Sequence, residues 1–150
     1  MKAYNDFIDK HYAEYDFAAF FDVDEFLCLK KDKSLDGFLS RYVDEAGVGV
    51  NWKVFGDSGL ACVEGNNYSV LNRFTRCAST FNRHIKTILN LKLSKNTMHF
   101  INPHYVDKAK AFNAVVDIDK TTFIHGPWHD GCKSETAQLN HYHTKTWQEF

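Results

Sequence analysis

The stretch FAAFFDVDEFLCL, residues 17–29, constrains this chain more than any other. An apolar run over 17–21 leads directly into two carboxylates separated by one residue, Asp22 and Asp24. A short run that is apolar on both faces predicts a fully buried strand, of the kind found inside a parallel sheet covered by helices. Alternation along a strand sends both acids to the same side, roughly 7 Å apart along the backbone. In open α/β sheets ligands sit beyond the carboxyl ends of the strands, which is where this pair falls. Two acids at the rim of an apolar strand repel each other and lose hydration unless protons or a cation compensate. A hard divalent cation, coordinated by oxygen and keeping some waters, is the natural compensator. The competing reading has both acids capping the next turn or pairing with Lys30 and Lys31.

The rest of the chain can build one core around such a strand. With 150 residues and 44% hydrophobic content, a single α/β domain over 1–150 is expected. A net charge of −1 leaves no electrostatic footprint for nucleic acid. No stretch approaches the roughly 20 apolar residues that span a bilayer, and the N-terminus lacks the apolar core of a signal peptide. Cys28, Cys62, Cys77 and Cys132 stand far apart without a Cys-x-x-Cys pair. That spacing argues against a zinc ribbon or a disulfide framework and for reduced thiols in a cytosol.

Helical spacing of Tyr4, Phe7, Ile8, His11, Tyr12 and Tyr15 predicts an amphipathic helix over 3–14, feeding the acid-tipped strand, which is read as central. Ser34 is a candidate N-cap, with Asp36 in the first turn and a helix through Leu35, Phe38, Leu39 and Tyr42 that stops near Gly47. Val48, Val50, Trp52 and Val54 alternate with their neighbours as a second strand. It runs into the turn-rich Gly56, Asp57, Ser58 and Gly59. A helix over 67–78 and strands over 85–89, 97–101 and 114–118 follow, with loops at 102–105 and 126–131.

Several side chains stand out for their chemistry. Arg73, Arg76, Arg83, His84 and Lys86 form the most basic patch. Arginine forks and ammonium groups suit phosphates, so Arg83 and Lys86, flanking a strand, are diphosphate candidates against the commoner reading of a solvated face. Trp128 could stack on a sugar face, although burial is the default for a tryptophan. His125 and His129 with Cys132 lie in a loop too rich in Gly and Pro to fix zinc spacing. His141 and His143 share a face of an extended segment and make a better ligand pair. Thr146 to Glu149 fits a capping box at the start of a further helix.

Three ordered motifs carry a resemblance. FFDVDEFL (20–27), GVGVNWKVFGDSG (47–59) and NHYHTKTWQEF (140–150) together resemble the GT-A glycosyltransferases of the family-2-like, lipopolysaccharide-type branch. The resemblance implies a partial GT-A, Rossmann-like mixed sheet flanked by helices, truncated at both ends and missing much of the nucleotide-binding half. It implies transfer of a sugar from a nucleotide-diphosphate sugar to a surface glycan or lipopolysaccharide-type acceptor, in the cytoplasm or at the inner face of the membrane as a peripheral protein. By the same resemblance Asp22 contacts the donor ribose or the metal, Asp24 binds Mn²⁺ or Mg²⁺, and His141 completes the metal shell. An inverting transfer needs a carboxylate to take the acceptor's proton. Asp57, in a loop that lines the cleft of the resembled family, is the candidate, with Glu25 its competitor.

Two rival readings remain open from sequence. An apolar strand ending in Asp-x-Asp also opens haloacid-dehalogenase-type phosphatases, where the first Asp is a nucleophile and the second a general acid. That pattern usually carries Thr or Val where Phe26 stands, and Asp117 with Asp119 would have to imitate its second metal pair. The third reading is a catalytically inactive glycan-binding remnant.

Overall fold

The computed structural model describes residues 1–63, 65, 69–94, 98–107, 115–130, 132 and 135–149. It is a mixed α/β structure in which short helices surround one six-stranded sheet. Helix α1 (Lys2–His11) leads into strand β1 (Phe17–Ala19), and a tight turn separates β1 from β2 (Glu25–Leu29). Helix α2 (Leu35–Leu39) begins at Ser34, whose Oγ accepts from Gly37 N–H at 3.1 Å, and ends in a 3-10 turn at Ser40–Tyr42. The cap and the apolar spacing read from sequence are both in place.

Strand β3 (Gly47–Val54) is the spine. On one side it pairs antiparallel with β4 (Ile85–Asn90), and the described residues between them include the short helix α3 (Val70–Arg73). Helix α4 (Leu91–Ser94) and the hairpin β5 (Phe100–Asn102) and β6 (Tyr105–Val106) follow. The other side of β3 is shared: its first half pairs parallel with β7 (Val115–Asp117), its second half parallel with β8 (Ala137–His141). Strand order is β1-β4-β3-β8-β2, with β7 off that path. Both faces of β3 are covered, so Val48 and Val50 are buried along with Gly47 and Gly49. Alternation along β4 sends Ile85 and Leu89 into one apolar cluster, with Ile8, Met98 and Phe100, and Ile88 into a second, with Phe38, Tyr42 and Leu139.

Three expectations are corrected. The strand before the acids is neither central nor parallel; β1 lies at one end of the described sheet and pairs antiparallel with β4. Its apolar run is covered from outside the sheet. Phe20 stacks on Tyr4 of α1 at 4.1 Å and meets Phe100 edge-on at 5.3 Å. Nor is the strand fully buried: Ala18 is buried, Phe17 is half-buried and Ala19 is exposed, and apolar character does not specify pairing. The helix expected over 67–78 is the single turn Val70–Arg73, Asn67 lying outside the described residues. Ser58 Oγ accepts from the N–H groups of Thr75 and Arg76, and Cys77 pairs with Phe55, so tertiary partners take the chain out of the helix. The strands expected over 97–101 and 114–118 are β5 and β7, with Thr97 and Ala114 outside the described residues. Among the described residues no helix is long and apolar enough to cross a membrane.

Candidate functional site

The acid turn between β1 and β2 is closed by a reciprocal pair of bonds. Glu25 N–H donates to Asp22 O at 3.0 Å, and Asp22 N–H donates to Glu25 Oε2 at 2.9 Å. Strand register then decides what faces it. Glu25 is paired with His141 across β2 and β8, Val54 with His141 across β3 and β8, and Val50 with Lys86 across β3 and β4. Paired residues and alternate residues of one strand project from the same face. Glu25, His141, Trp52 and Lys86 therefore converge on one face, beneath the acid turn.

Lys86 is the buried centre of this group. Its ammonium lies 3.0 Å from Asp22 Oδ2 and 3.3 Å from Glu25 Oε2, with the lysine side chain 1% exposed and that of Glu25 0%. Burial raises the Glu25 pKa, opposed by its bond to the Asp22 backbone and by Lys86. Glu25 Oε1 is buried without a hydrogen-bond partner. Lys86, a diphosphate candidate from sequence, is thus enclosed and paired, and Glu25, the competitor base, serves to arrange the acid turn.

Asp24 has different partners from Asp22. His141 Nε2 lies 3.7 Å from its Oδ1 and Lys145 Nζ 3.6 Å from its Oδ2. The segment after β8 is tied to the same residue, Tyr142 N–H donating to Asp24 O at 2.9 Å. Burial lowers the His141 pKa from its ordinary 6.5, with the neighbouring Asp24 carboxylate opposing. Its Nδ1 is buried without a hydrogen bond, and its ring packs on Trp52 at 4.2 Å. Trp52 is also stacked by His84 at 5.0 Å and met by His104 at 5.2 Å.

A metal shell of Asp22, Asp24 and His141 is assembled only in part. Asp24 and His141 stand together, while Asp22 is engaged by Lys86. Among the described residues no group of three or more His, Cys, Asp or Glu is arranged to hold a metal ion. Asp24 and His141 offer one carboxylate and one imidazole, so a cation there would need waters or a ligand's oxygens for the rest of its shell.

Asp57 sits in the turn after β3. Its Oδ1 accepts from Gly59 N–H at 2.8 Å, in a turn that needs left-handed backbone at Ser58 (φ 58°) and Gly59 (φ 79°). With Thr144, Lys145 and Trp147 it lines a cavity of about 360 Å³. Lys145 therefore joins this cavity to Asp24.

The basic patch disperses. Arg73 makes a bidentate pair with Glu149 at 2.7 and 2.8 Å, and Arg83 pairs with Asp130 at 3.0 Å beside Trp128. Arg83 thus makes its contacts away from the acid turn, and Trp128 is 55% exposed. Asp117 accepts from Thr121 and Thr122, and Asp119 from Thr136, so both hold loops. Pattern does not single out Lys145, Trp52 or His104, and it marks His84 only as part of the basic patch. Lys145 carried one hint, closely following His141 in the extended end of the chain.

No protein-family model matches the sequence, and no curated protein matches it significantly. The site is read from its chemistry.

Proposed function

We propose that the chain is a metal-dependent glycosyltransferase domain with a partial GT-A sheet, moving a sugar from a nucleotide-diphosphate donor to a glycan acceptor. The observation that carries this reading is the meeting of Asp24 with His141 and Lys145, residues from opposite ends of the chain, at 3.7 and 3.6 Å. Asp24 and His141 would hold Mn²⁺ or Mg²⁺. When bound, the cation supplies Lewis-acid neutralisation of the leaving diphosphate. Lys145 adds a fixed positive charge beside the same position, and Asp22, held by Lys86, presents its remaining oxygen to donor hydroxyls. Asp57 takes the proton of the attacking acceptor hydroxyl.

A thermal melt with Mn²⁺ and a panel of nucleoside diphosphates tests the reading. The expected result is a transition that rises when metal and nucleotide are both present, and a rise lost in Asp24→Ala with the unliganded transition kept. Lys145→Met should weaken nucleotide binding by about 10- to 100-fold, the size of a charge-assisted hydrogen bond. A wild-type melt indifferent to every metal–nucleotide combination would refute the proposal.

A further inference from the structure

Trp147 is 83% exposed, yet its surroundings are not loose. Thr146 and Glu149 are joined through side-chain bonds of 2.7 and 3.2 Å, Glu149 is clamped by Arg73, and Gln148 exchanges bonds with Ala61 and Val63. The residues on both sides of the tryptophan are held by hydrogen bonds, whereas the indole is almost wholly exposed. Keeping a large apolar ring in water on a pinned turn forgoes the burial that would stabilise it. The ring borders the cavity of about 360 Å³ that also holds Asp57, Thr144 and Lys145. A flat apolar plate beside a carboxylate acceptor, a hydroxyl and an ammonium donor matches one ligand chemistry well. A pyranose ring has an apolar C–H face that stacks on the negative face of an indole, and hydroxyls around its edge that both donate and accept.

We propose that this cavity is a pyranose-binding site, seating a sugar ring against Trp147 with hydroxyls on Asp57, Thr144 and Lys145. Resting on the transferase reading, it is the acceptor subsite, because Lys145 borders Asp24 on its other side and Asp57 is the candidate base.

The test is saturation-transfer NMR on the whole chain with methyl glycosides of glucose, galactose, mannose and N-acetylglucosamine, in wild type, Trp147→Ala and Trp147→Phe. At least one glycoside should receive saturation on its ring protons. Trp147→Ala should bind it about tenfold more weakly, the scale of one aromatic stacking contact, and Trp147→Phe should keep most of the affinity. Nucleotide-dependent melting shifts should be the same in all three proteins. Binding of no glycoside at millimolar concentration, or equal binding by Trp147→Ala, would overturn the site, as would a loss confined to nucleotide. Glycosides that bind through Trp147 in a protein indifferent to metal and nucleotide would leave the site standing and sink the transferase reading.

Discussion

Lys86 and Glu25 form an ion pair at 3.3 Å in which neither side chain reaches solvent. Asp22, half exposed, shares the ammonium at 3.0 Å. A buried charge is tolerated only while its partner is present, because desolvation is offset by the pair's attraction and its hydrogen bonds.

Lys86→Met should therefore lower the unfolding free energy by about 3–5 kcal/mol, leaving Glu25 buried and unpaired. The double variant Lys86→Met with Glu25→Gln should recover much of that loss. Urea denaturation of the two single variants and the double variant measures the coupling. Additive effects would show that the pair does not act as a unit.

The Arg73–Glu149 pair should give stability an acid limb. Hydrogen bonds from Arg73, then from Thr146, hold the Glu149 pKa down to about 2 from its ordinary 4.5. A carboxylate depressed in the folded state stabilises fully above the unfolded value, and that contribution disappears as pH falls through the folded one. Wild type should thus lose its advantage over Glu149→Gln between about pH 4.5 and 2. High salt should shrink the difference, because Glu149 is partly exposed. Parallel melting curves of the two proteins across that range would contradict this.

Two glycines of β3 admit no side chain. A Cβ on Gly47 would lie 2.6 Å from the backbone oxygen of Ile88, whereas one on Gly49 would meet side-chain ends, Ile124 Cδ1 at 2.4 Å and Ile85 Cδ1 at 2.8 Å. Backbone cannot yield as an isoleucine tip can. Gly47→Ala should destabilise by about 2–3 kcal/mol and Gly49→Ala by less. Denaturation midpoints compare them, and the reverse order would be a failure of this packing argument.

Local features were legible from sequence because they depend on a few adjacent residues. The Ser34 cap, the helix that starts there, the β3 strand and the turn at Asp57 all fall into this class, although the helix passes into a 3-10 turn at Ser40–Tyr42. So does the Thr146–Glu149 capping box, although here it closes a 3-10 turn at Trp147–Glu149. The failures share another cause. The 67–78 segment has good apolar spacing, but Ser58 and Phe55 claim its backbone groups. Lys86 and Arg83 look alike in a basic run. One lies on a strand buried on both faces, and the other precedes that strand and ends in solvent, a boundary that the run of charges does not mark.

By itself the sequence determined that Asp22 and Asp24 would follow closely on an apolar run and that Asp57 would sit in a turn; it did not show that the strand ends at Ala19 and leaves both acids in the turn before β2. Tertiary structure decided that the two acids would divide, one to Lys86 and one to His141 and Lys145. The reason is geometric. Spacing along the chain sets which residues share a strand face, but only the pairing of β2, β3 and β4 with their neighbours sets which charges stand across from them, and at 3–4 Å those charges govern what each carboxylate can do.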